Sequence, residues 1–106
     1  MRTHEYDLGN IFGSFLAEGA RAAAFRFTNI EPAISAREEV ILDFSGVHNI
    51  NSSFANALIS PLIELRGEEV LEHLRFKSCN AIVRVMIEGA LSLGVERAHA
   101  GRKVPA

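Results

Sequence analysis

The sequence predicts a small α/β layer fold, and three observations carry the prediction. Hydrophobic patterning along the 106 residues alternates strand, helix, strand, helix, strand, helix, the order that lays helices on a sheet. The chain is long enough for one domain and too short for two independent cores. Its composition, 48% apolar and 23% charged, is that of a globular chain, which excludes a disordered one.

Each element has its own signal. Glu5 to Leu8 reads as a short edge strand. Ala20 to Phe27 is helix-friendly, and Ala23, Phe27, Ile30 and Ile34 keep helical spacing, with Pro32 interrupting. Thr28 or Asn29 would cap a fresh helix with Pro32 in its first turn, where a missing N–H costs little, so a kink or break is expected here. Val40-Ile41-Leu42 is a continuous, β-branched-rich run that predicts a strand covered on both faces, closed by the turn signal Ser45-Gly46.

A helix follows from Ser52 to Arg66. Phe54, Leu58, Leu62 and Leu65 form its apolar stripe, with Ala55 and Ile59 beside them. Pro61 predicts a kink, or a restart capped by Ser60, and Gly67 a stop. Glu68 to Glu72 reads as a helical turn with a solvated acidic face. Leu74 to Lys77 alternates like a short strand. Asn80 then caps a helix in which Ile82, Val85, Met86, Gly89, Ala90 and Leu93 share the predicted core face, with Gly94 as its end. One domain over 1–95 and a flexible tail over 96–106 are expected.

Net charge and residue usage narrow the function classes. The net charge is −2, with nine scattered arginines and two lysines, so no basic stripe for nucleic acid is expected. No run of 18 apolar residues predicts a membrane span, and residues 1–7 are too polar to read as an export signal. Cys79 is the one cysteine, which excludes a disulfide scaffold and fits a reducing cytoplasm. His4, His48, His73 and His99 are too far apart for zinc spacing. Gly9 to Gly13 lacks the lysine of a phosphate-binding loop. Neither a metal nor a cofactor is predicted.

Chemistry concentrates in Asp43-Phe-Ser-Gly-Val-His-Asn-Ile-Asn-Ser-Ser-Phe-Ala-Asn56. It leaves the carboxyl end of a strand and enters a helix N-terminus, where sites form in open α/β sheets and where free N–H groups favour an anion. A serine here is well placed to carry a phosphate, although Asn51, Ser52 and Ser53 are all good N-caps that need no function. Asp43 suits a role capping the loop or orienting the Ser45 segment, with recognition as its second reading, and His48 reads as a solvated loop residue. Asp43, His48 and Ser52 are also the makings of a hydrolase or small-molecule site, but no glycine elbow surrounds the serine and no second glycine-rich stretch offers an oxyanion hole. Phe12, Phe15, Phe25 and Phe27 are expected in the core; exposed together, they would instead hold a homodimer.

Ile41-Leu-Asp-Phe-Ser-Gly-Val47, followed by Ser52-Ser53-Phe54-Ala55, resembles the STAS-like proteins of unknown function. These are bacterial relatives of the STAS domain of anti-sigma factor antagonists. The resemblance runs over Glu38 to Leu93. It implies a small mixed, partly parallel sheet of three to four strands with helices packed mainly on one face. It also implies a non-enzymatic protein-interaction module. In phosphorylatable members the first serine of the pair takes phosphate from a partner kinase; that position is Ser52. The implied partner is a protein, with a histidine-kinase-like ATPase as the candidate. Asp43, Ser45, Gly46, His48, Asn51, Ser52, Ser53 and Asn56 are the candidate contact residues. Two positions depart from the broader pattern: Asn51 replaces an aspartate, and Phe54 replaces a glycine.

Overall fold

The computed structural model describes residues 2–101, and strand β3 (Glu39–Asp43) is its spine. Parallel strands β1 (Thr3–Asp7) and β5 (Leu74–Lys77) flank it in the order β1-β3-β5. The in-register rows His4, Val40, Leu74 and Tyr6, Leu42, Phe76 face the helices, and Val40 and Leu42 are completely buried. The rows Glu5, Ile41, Arg75 and Asp7, Asp43, Lys77 face the other way. Pairs from Arg75 to Glu39 at 2.9 Å and from Lys77 to Glu5 at 3.0 Å cross that second face. β3 is therefore covered on one face, not on both as its apolar run suggested; Ile41 sits part-buried among charges. Helices on one face of a three-stranded sheet match the fold that the resemblance implied. Every pairing is parallel among the described residues, including the two-residue ladder of β2 (Phe15–Leu16) with β4 (Asn49–Ile50).

Between β1 and β3 run α1 (Leu8–Phe12), β2, α2 (Gly19–Phe25), a π turn (Arg26–Ile30) and α3 (Glu31–Ser35). No break occurs, and neither Thr28 nor Asn29 starts a new helix. Pro32 offers no N–H and its ring crowds the carbonyl four residues back. The helix widens ahead of it, so that the Glu31 N–H reaches the Arg26 carbonyl five residues away. The extra residue rotates Phe27 outward, leaving it 72% exposed, while Phe25 and Ile30 stay in the core. Phe25 packs edge-on against Tyr6 and Phe12, with centroids at 5.1 and 5.5 Å. Phe15 is also exposed.

Helix α4 (Ser52–Arg66) keeps its predicted bounds and ends at Gly67. It passes through Pro61 without restarting. Ser60 is completely buried, and its hydroxyl donates to the Ala90 carbonyl at 2.8 Å. Phe54, Ala55, Leu58, Ile59 and Leu62 are buried as expected, but Ile63 joins them and Leu65 is exposed. Glu68–Glu72 forms a 3-10 turn anchored by buried Val70.

Helix α5 (Ala81–Gly101) lies along α4. Its core stripe is Val83, Ile87, Ala90, Gly94 and Ala98. The predicted stripe was rotated: Ile82 and Val85 are 49% and 63% exposed. Gly94 does not end the helix. A methyl there would lie 2.7 Å from Ile63 Cβ and 2.8 Å from the Ser60 carbonyl oxygen, so glycine is what lets the two helices touch. Residues 96–101 are helical, and the rest of the expected tail lies outside the described residues. Among the described residues no helix is long and apolar enough to cross a membrane.

Candidate functional site

The rim of the sheet begins where β3 ends. Asp43 Oδ1 accepts the Ser45 N–H at 2.9 Å, an Asx turn that bends the chain off the strand. The Val47 N–H then closes on the Phe44 carbonyl at 3.0 Å. Phe44 and Val47 are buried, and they hold exposed Ser45 and Gly46 up as the tip. That tip rests on α1 backbone to backbone: a methyl added to Gly9 would lie 2.7 Å from Gly46 Cα.

The remainder of the loop is pinned from two sides. The Ser14 carbonyl accepts from His48 N–H at 2.8 Å and Asn49 N–H at 3.1 Å. Asn80 Nδ2 donates to the carbonyls of Val47 and His48, at 3.3 and 3.1 Å. The same asparagine caps α5, with its Oδ1 accepting the Val83 N–H at 2.9 Å. One side chain thus ties the loop to the start of α5.

Asn51 performs a matching double task. Its Oδ1 accepts the Phe54 N–H at 2.9 Å, capping α4, and its Nδ2 donates to the Ala17 carbonyl at 3.0 Å. An aspartate could make the first bond but not the second, which gives the departure from the broader pattern a structural reason. Asn51→Asp is expected to lose about 1–2 kcal/mol of stability, because it turns a donor into a charge facing a carbonyl. Urea unfolding at neutral pH measures it, and an unchanged midpoint would show that the Ala17 bond contributes nothing.

Ser52 and Ser53 occupy the first turn of α4, and both are exposed. Their surroundings differ. Ser53 Oγ lies against the backbone of Gly19, where an added methyl would come within 2.6 Å of it. Ser52 instead lines a shallow groove of about 450 Å³ with Asn56, Val85, Met86, Gly89 and Leu93. Of the sequence-predicted residues, Ser45 to Asn51 form one continuous rim with the start of α4. His48 is exposed at the loop surface, while the Asp43 carboxylate belongs to the open face of the sheet and to its own turn. No hydrogen bond joins Asp43, His48 and Ser52 among the described residues. Burial pushes the Cys79 thiol above its ordinary pKa, which keeps it protonated and a poor nucleophile. The sequence pattern places Val85, Met86 and Gly89 on the core face and assigns Gly9 no supporting role. The available signal was that α5 carries apolar residues on two faces.

No curated protein and no solved structure gives a significant match to the chain. A family model described as a STAS-like domain of unknown function matches residues 21–84, from α2 through the rim to the start of α5. With more than half its length matched in this way, the chain belongs to the family of STAS-like domains of unknown function.

Proposed function

We propose that the chain is a protein-interaction module that docks a partner on the Ser45–Asn56 rim and the adjoining face of α5, with Ser52 as a phosphorylation switch. The carrying observation is the apolar stripe beside Ser52. A surface helix ordinarily keeps one apolar face; α5 has a second, with Ile82 at 49% and Val85 at 63% exposure, and Val85 lines the Ser52 groove. Apolar side chains gathered beside polar groups are the composition of a docking surface.

A phosphate on Ser52 would bring roughly two negative charges to the edge of that stripe. An apolar contact made by the neutral hydroxyl form would then have to desolvate them. The helix N-terminus tolerates the charge in the free chain. Ser53, pressed on Gly19, lacks the space that Ser52 has. The resemblance to anti-sigma factor antagonists supports a histidine-kinase-like ATPase as the partner.

The test is phosphotransfer from a histidine-kinase-like ATPase to this chain. Labelling of the wild type and its loss in Ser52→Ala are expected; equal labelling of both removes Ser52 as the switch. Val85→Glu should weaken binding of the same ATPase at least about tenfold by calorimetry. Light scattering of the chain alone should report a monomer. A dimer lost in Val85→Glu would assign the stripe to a second copy instead.

A further inference from the structure

The flank of α5 turned away from Ser52 carries a groove of its own. Leu91, Val95 and His99 stand at successive turns of the helix, and Glu68 and Leu71 of the 3-10 turn face them across a groove of about 500 Å3. Val70 takes the buried place in that turn, which leaves Leu71 39% exposed. Ser92 and Glu96 border both this groove and the one beside Ser52. Four residues apart, they form one ridge on α5, with a groove along each side.

The lining sorts by chemistry. Its middle is apolar, from Leu71, Leu91 and Val95, and its two carboxylates lie on opposite banks, Glu68 on the turn and Glu96 on the helix. Both are exposed, and neither enters an ion pair among the described residues. No lysine or arginine lines the groove. The eight steps from Leu91 to His99 make it about 12 Å long, the reach of two helical turns. A helix laid in such a groove presents apolar side chains one turn apart. The complement of acid on both banks is base on both sides of that apolar stripe, whereas an acidic partner would meet repulsion from either bank.

We propose that this groove docks a short basic amphipathic helix of a partner protein. Leucine-like side chains of that helix rest on Leu71, Leu91 and Val95, and its lysines or arginines pair with Glu68 and Glu96. The site stands whether or not Ser52 is a switch.

Titration of the full chain with a synthetic helix of about 14 residues, leucines one turn apart and lysines beside them, tests it. Saturable binding is expected, with NMR shifts at the methyls of Leu71, Leu91 and Val95. Replacing both carboxylates, Glu68→Lys with Glu96→Lys, should weaken it at least about tenfold, and added salt should weaken it in the wild type more than in the double variant. The same helix with glutamates in place of the lysines should not bind. Absence of binding overturns the proposal, as does equal binding by the glutamate helix or by the double variant, which would leave only unspecific apolar contact. Shifts confined to Ile82 and Val85 would move the helix to the Ser52 side. Binding at least about tenfold tighter to a chain ending at Gly101 would give the groove to Arg102 and Lys103 of the chain itself. Self-association lost in the double variant would give it to a second copy. Each of these three outcomes also overturns a partner helix as the occupant.

Discussion

Phe54→Ala is expected to cost about 3–5 kcal/mol, the range for emptying a fully buried phenylalanine site. Phe54 is 1% exposed, and its ring meets Phe12 edge-on at 5.1 Å. Phe12 in turn packs on Phe25, and Phe25 on Tyr6 of β1. The removed ring would therefore open a cavity at the end of a row of three remaining aromatics, with a backbone helix that cannot collapse into it. A domain of this size holds only about 5–15 kcal/mol in all, so the variant should be partly unfolded near body temperature. Calorimetric melting measures the loss. A cost below about 1 kcal/mol would mean that the neighbours close over the site. The position is also where the broader pattern has glycine. Here the residue two places after Ser52 nails the first turn of α4 to the core, so the rim is held from beneath by packing.

Gly94→Val and Gly89→Ala should move stability in opposite directions on one helix. At Gly94 an added carbon meets Ile63 Cβ at 2.7 Å and the Ser60 oxygen at 2.8 Å. One of those contacts is backbone and cannot rotate away. Valine adds two more carbons, and α5 must lift off α4, at about 3 kcal/mol. At Gly89 nothing lies within 4 Å of an added methyl. Alanine there gains about 0.5–1 kcal/mol from reduced chain entropy in the unfolded state and better helix propensity. Thermal unfolding should place the two melting points on the order of 15 °C or more apart. If both variants were neutral, the close approach of α4 to α5 would be wrong.

The same two glycines show where sequence reading works and where it stops. α4 was legible in its bounds and in most of its core because Phe54, Leu58 and Leu62 recur at helical spacing, while Ile63 takes the buried place expected of Leu65 and Asn51 is the cap among three candidates. β5 and the Asn80 cap were legible as well. In α5, Ile82, Val85 and Met86 compete with Val83 and Ile87 for the core, and periodicity cannot rank two apolar stripes. Gly94 carries the composition of a helix end but serves a helix crossing, which depends on Ile63 and Ser60, thirty residues away. Pro32 was recognised as an interruption. Its resolution by one added residue, with Phe27 turned out, depends on how the chain absorbs strain. The strands β2 and β4, two residues each, have no pattern of their own and exist because each finds the other. Within the site, Asp43, His48 and the serines announced themselves by type and place. The α5 wall of the groove and the Gly9 support did not, since apolar and glycine residues look alike whether they serve a core or a surface.

The contact of Gly9 with Gly46 sets a height. The turn sits on α1 with no side chain between the two backbones, and a methyl at position 9 would already be 2.7 Å from Gly46 Cα and 2.9 Å from its carbonyl carbon. Any larger residue there would work as a shim, tilting the turn while leaving Ser52, fixed by Asn51 and Phe54, where it is. The shape of the rim is thus adjustable from beneath, at a position outside the turn itself, and adjustable only upward, because glycine is already the thinnest spacer the chain can offer.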